Sequence, residues 1–197
     1  MPKKSFQTVA CVVLLVLFFL SEFVFYGTIG SLSPYATYYV EIAFIVVTAF
    51  VLDGFEIRKT NENTKLVPIL MLLAIFGFGI RALCGTLSLN VPFDLNSTET
   101  LLFLLLLGPI IEEVLFRGAL AGLIKSLKAP DNVQLAITSL AFAYAHFIAY
   151  YDSPSNYHPF ILYQTAYTFI LGLTCGYVAL RRGLLYAILG HIVVAPI

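Results

Sequence analysis

The stretch Leu101–Lys128, LLFLLLLGPIIEEVLFRGALAGLIKSLK, constrains the fold of this chain more than any other. It reads as one long apolar helix with Glu112, Glu113 and Arg117 in its middle. An ionisable side chain at bilayer depth costs about 2.5–3.5 kcal/mol on insertion scales, so such residues face a protein interior and mark function. The rest of the sequence reads as scaffold around them.

Composition agrees with that setting. The chain has 197 residues, of which 60% are hydrophobic and 11% charged, where a soluble domain is about a quarter charged. The fold class is therefore an all-α, polytopic transmembrane helix bundle in a single domain, 1–197. Formal net charge is zero, which points away from nucleic acid as a partner and leaves the lipid bilayer as the evident one. Cys11, Cys84 and Cys175 show no C-x-x-C spacing, and they read as small residues of apolar helices. Lys3 and Lys4 precede the apolar run Val9–Leu20 in the manner of a signal peptide. That run continues through Phe23–Tyr26 with no small-residue cleavage pattern, so a retained first span is expected.

Seven apolar stretches follow one another: Phe6–Tyr26, Tyr35–Leu52, Leu66–Leu83, Thr98–Leu127, Val133–Tyr150, Pro159–Leu180 and Leu184–Val194. A span needs about 20 residues. The fourth exceeds this, and Gly108-Pro109 predicts a kink within it, because proline removes a helix hydrogen bond. The seventh is short. Ser97 or Thr98, with Glu99, is placed to start the fourth helix, and Arg181-Arg182-Gly183 to end the sixth. Lys3/Lys4, Arg58/Lys59/Lys65, Lys125/Lys128 and Arg181/Arg182 fall on one side of an up-down threading, and only Arg81 lies near the other. The positive-inside rule then places the N-terminus in the cytoplasm. The expected location of the integral chain is a prokaryotic plasma membrane. Gly118-x-x-x-Gly122 and Gly172-x-x-x-Gly176 are small-residue pairs that let helices approach closely, read as packing within the bundle.

Glu113 and Arg117 are four apart, so they share a helix face and can pair. Glu112 points about 100° away from Glu113. It is left to find another partner or to work as a base. A buried ion-pair cluster that only orients helices is the competing explanation of the same residues. His146, in the fifth stretch, and His191, in the seventh, are the other intramembrane candidates; His158 reads as a surface residue. A Glu with two His could ligate zinc. Yet H-E-x-x-H is absent and each residue comes from a different helix. They could also act without metal, Glu and one His deprotonating a water while the other His stabilises an oxyanion. No G-x-S-x-G elbow is present for a serine nucleophile.

E-E-x-x-x-R, then F-x-x-x-H a helix later, then a His in a final short helix, resembles the CPBP family. This group, also called Abi, comprises CAAX prenyl endopeptidases and bacteriocin-processing enzymes of the glutamate-type intramembrane protease kind. Glu112, Glu113, Phe116 and Arg117 fall on its first motif, Phe142 and His146 on its second, and His191 on its last. The resemblance makes 98–197 the catalytic core and 1–97 generic membrane helices. It implies that Glu112 activates water with His146, that His191 helps bind the oxyanion, and that Glu113 and Arg117 hold the site together, with Phe142 in support. No cofactor is implied, and metal-independent chemistry is favoured over zinc. One position departs: the prenyl-protease branch has an Asn four residues after the last His, and here that position is Ala195. This bears on prenylated substrates more than on peptidase activity.

The expected function is an intramembrane endopeptidase acting on a membrane-associated peptide or protein, such as a leader, a C-terminal sorting signal or a CAAX-like tail. A non-enzymatic scaffold or immunity protein of the same family is the first alternative. A small transporter with a proton relay is the second, although the internal repeat common in transporters is absent. The sequence sets no oligomeric state.

Overall fold

The computed structural model describes residues 3–20, 42–44, 68–69, 71–72, 74–75, 78–79, 82 and 96–194. Among these, all regular structure is helical. Helix α1 is Lys3–Phe19. A continuous helical run over residues 98–126 forms α2. Helix α3 is Asp131–Ala149, α4 is His158–Arg182 and α5 is Leu184–Val194. The last four helices coincide, within about two residues at each end, with the last four apolar stretches. Tyr35–Leu52 and Leu66–Leu83 lie largely outside the described residues, so the count of seven spans is not tested. Asp131–Ala149 alone among the described helices is long and apolar enough to cross a membrane by itself.

Ser97 starts α2: its Oγ accepts the Thr100 N–H at 3.2 Å, as an N-cap does. The helix then alternates. Thr98–Leu102 is α-helical, Phe103–Leu107 π-helical, Gly108–Glu113 α-helical, Val114–Leu120 π-helical and Ala121–Ser126 α-helical. Pro109 explains the first wide turn. It lacks an N–H, and its ring crowds the carbonyl four residues back. The Gly108 N–H reaches instead to Phe103 O, five residues back. The expected kink is thus taken up as a widened turn. A Cβ at position 108 would sit 3.1 Å from Phe103 O, which is why glycine precedes the proline. The wide turns bracket the carboxylate pair, and π-turns of this kind recur at functional sites.

The helices turn polar residues inward together with apolar ones, and turn large apolar residues outward. On α3, Gln134, Thr138 and Ser139 are buried, while Val133, Ile137, Leu140, Tyr144 and Ile148 are exposed. On α5, His191 is buried and Leu185, Leu189 and Val193 are exposed. Polar-in, apolar-out is the arrangement that hydrocarbon surroundings favour. The hydroxyls do not go unsatisfied, since Thr138 donates to Gln134 O at 2.9 Å and Ser139 to Leu135 O at 2.7 Å.

Helices α3 and α4 are antiparallel neighbours held close by glycine. A Cβ on Gly172 would stand 3.1 Å from the Ser139 backbone, and one on Gly176 2.6 Å from Leu135 Cδ1. Gly122 packs on Cys11 of α1. Gly122, Gly172 and Gly176 therefore serve contacts inside the bundle. Gly183, at φ 97°, breaks α4 from α5 and its N–H caps Ala179 O. The core beneath the site gathers Phe116, Phe142, Tyr167, Leu171 and Val178.

Candidate active site

Three helices bring the chemistry together. Helix α2 supplies Glu112, Glu113 and Arg117, α3 supplies Phe142 and His146, and α5 supplies His191. The inner layer is fully enclosed. Arg117 Nη1 lies 3.0 Å from Glu113 Oε1, the i,i+4 pair expected from spacing. The same oxygen takes a second partner, His191 Nδ1, at 2.9 Å. Arg117 Nη2 donates to Gly172 O on α4 at 3.0 Å. One ion pair thus ties α2, α4 and α5, and removing either charge would leave the other buried and uncompensated.

The outer layer is open. The Glu112 side chain is 29% exposed and that of His146 18%, against 0% for Glu113. Glu112 stands between the two imidazoles. Its Oε1 is 3.5 Å from His146 Nε2 and its Oε2 3.5 Å from His191 Nε2. The other ring nitrogens are committed. His146 Nδ1 lies 3.0 Å from Phe142 O, and a carbonyl only accepts, so that nitrogen carries a proton. His191 Nδ1 faces an ion-paired carboxylate, and the same reasoning applies. Both rings therefore turn Nε2 toward Glu112, where it accepts when neutral and donates when protonated. At 3.5 Å these are contacts rather than strong hydrogen bonds.

Phe142 fixes the ring planes. It meets His146 edge-on at 4.7 Å between centroids and His191 at 5.7 Å, and Arg117 Cζ lies 4.6 Å from its ring centre. The distances suit aromatic and cation–π attraction. His158, in contrast, is exposed at the start of α4, away from this cluster.

Metal-ligating atoms do occur together here. Glu113, Cys175 and His191 offer ligand atoms within 4.8 Å of one another. Arg117 already stands against that carboxylate, so a divalent ion there would meet a guanidinium at close range. His146 and His191 meet different oxygens of the Glu112 carboxylate, as described above. A separate cavity of about 130 Å³ lies on the other side of Arg117, toward Lys125, Asp131, Gln134 and Thr138. Glu112, His146 and His191 do not line it.

Residues 95–195 match the family model of the type II CAAX prenyl endopeptidase Rce1-like proteins. The chain belongs to this family. The match covers α2 to α5, and so every residue of the cluster. Rce1-like proteins are membrane-embedded proteases of the CPBP group, which supports a CAAX-type intramembrane protease function for the chain. No curated protein and no solved structure matches it.

Several participants escape a reading of the sequence. The Glu113–His191 bond joins residues 78 apart, and no local pattern announces it. Gly172 is visible as a packing glycine but not as the carbonyl that holds Arg117. Cys175 sits beside Glu113 and His191, where composition suggested only a small apolar residue. Tyr167, which donates to Val194 O at 3.0 Å and so holds the end of α5, looks like any other aromatic of an apolar helix. Ala195 lies outside the described residues.

Proposed function

We propose that the chain is an endopeptidase that hydrolyses a peptide bond in a membrane-associated peptide or protein, using water activated by Glu112. The observation that carries this reading is the position of Glu112, partly open and flanked by two imidazole Nε2 atoms at 3.5 Å, above an ion pair that neutralises its neighbour. A general base must be reachable by its substrate and able to take a proton. Glu113 fails on the first count and Glu112 meets both.

In the first step the water oxygen attacks the scissile carbonyl carbon and one proton passes to Glu112, while the second hydrogen stays on that oxygen and is hydrogen-bonded to neutral His146 Nε2. Protonated His191 donates from Nε2 to the oxygen as it gains charge, and Glu113 compensates the imidazolium through Nδ1. In the second step the tetrahedral centre collapses, the C–N bond breaks, and Glu112 returns its proton to the leaving amine. Glu113, Arg117 and Phe142 hold the two histidines in register. This scheme uses no metal. The N-terminus is assigned to the cytoplasm from the charge distribution.

The test uses purified protein in detergent and a panel of membrane-anchored peptides, with and without a prenylated CAAX tail. Mass spectrometry should find a new peptide terminus with the wild type and none with Glu112→Gln or His146→Ala. Cleavage that survives Glu112→Gln, or no cleavage of any peptide by folded wild type, would count against the proposal.

A further inference from the structure

Gln164 is a polar residue of α4 that the scheme above does not use. It precedes Leu171 by seven residues and Cys175 by eleven, which places it between them around the helix, about 20° from each. Leu171 and Cys175 are buried, and Cys175 lies beside Glu113 and His191. The Gln164 side chain therefore emerges on the face of α4 that is turned toward the site.

Its depth follows from the packing of α3 on α4. Gly172 abuts Ser139, and Gly176 abuts Leu135. Helices running in opposite directions keep this count, so moving seven residues from Ser139 to His146 corresponds to moving from Gly172 back to Thr165. Gln164 is then about level with His146.

Its hydrogen bonding is incomplete. Among the described residues, Gln164 Oε1 is shielded from solvent and has no partner. Nearby polar groups are satisfied within their own helix: Thr165 Oγ1 donates to Ile161 O at 2.8 Å and Thr168 Oγ1 to Thr165 O at 3.0 Å. A buried acceptor without a partner destabilises a fold, and it calls for an explanation in terms of what would satisfy it.

The substrate has the complementary need. To be cleaved, a peptide segment must be extended, and it then loses its internal hydrogen bonds where little water replaces them. A carboxamide carries one acceptor and two donors, the same groups that a peptide unit presents. We propose that Gln164 is a substrate-binding residue whose amide pairs with a main-chain peptide unit of the extended segment next to Glu112. This inference rests on the reading of Glu112 as the hydrolytic centre.

The experiment takes the full chain and the peptide from the panel above that the wild type cleaves, and compares Gln164→Leu and Gln164→Met with wild type. Loss of one neutral hydrogen bond to bound substrate should raise KM about fivefold to tenfold and change kcat less than about twofold. Tm should hold or rise, because the unpartnered acceptor is gone. An unchanged KM in both variants, or a Tm that falls in step with kcat/KM, overturns the inference. Glu112→Gln measured alongside separates the two claims. If it is inactive while both Gln164 variants keep the wild-type KM, only the role of Gln164 fails. If it is active, or if wild type cleaves nothing, both fail.

Discussion

Replacing Glu113 with Gln keeps the shape of the side chain and removes its charge. In the structure that charge is fully enclosed, and one oxygen serves two partners, Arg117 Nη1 at 3.0 Å and His191 Nδ1 at 2.9 Å. The amide can still accept from one of them, but it cannot neutralise Arg117, whose side chain is 1% exposed. Breaking a buried pair by removing one charge costs about 3–5 kcal/mol. For a chain of this size each kcal/mol shifts Tm by about 2–4 °C, so a fall of roughly 6–20 °C is expected. Thermal unfolding of the purified protein in detergent measures it. The double variant Glu113→Gln/Arg117→Met should recover much of the loss, because a buried pair replaced by neutral groups is often no less stable. A wild-type Tm in Glu113→Gln, or no recovery in the double variant, would refute the claim that this pair holds α2, α4 and α5 together.

Three further outcomes follow from individual contacts. Gly172→Ala should destabilise by about 1–3 kcal/mol, since its methyl would meet the Ser139 backbone at 3.1 Å, whereas Gly176→Ala should be milder because the group it meets is the movable end of Leu135; paired Tm measurements decide. His191→Ala should lower both activity and Tm, since this ring is buried against Glu113, while His146→Ala should lower activity with little change in Tm, since its ring is partly exposed; equal Tm losses in the two would contradict the layered site. Cysteines placed at Lys128 and Asn156, beyond opposite ends of α3, should react with a membrane-impermeant thiol reagent from opposite faces of the membrane, and labelling of both from one face would sink the threading.

The helical stretches from residue 98 onward were legible in the sequence because their boundaries are chemical. Ser97 caps, Pro130 precedes Asp131, and Gly183 takes a φ of 97° that few other residues adopt. The central carboxylates were legible for a different reason: charge within an apolar run has few explanations. The expected Glu113–Arg117 pair appears as spacing requires, because i and i+4 are adjacent on any helix. What stayed hidden depends on contacts between helices. Gly108-Pro109 announces the first wide turn, but nothing local announces the second, over Val114–Leu120, which contains no proline. Nothing near His191 specifies that Nδ1 finds Glu113 while Nε2 faces Glu112. Such facts follow from tilt and register, which helix periodicity leaves free.

The central claim is that Glu112 is the base. Its most direct test is kcat of Glu112→Gln, with Tm in parallel and with chelator present and absent. A general base contributes about 10²–10⁴-fold to rate. The account predicts a loss of at least about 10²-fold in kcat, a Tm close to wild type because Glu112 is partly exposed and makes only 3.5 Å contacts, and no effect of chelator on the wild type. Wild-type turnover by Glu112→Gln would contradict it, and activity lost to chelator and restored by zinc would assign the same residues to a metal instead.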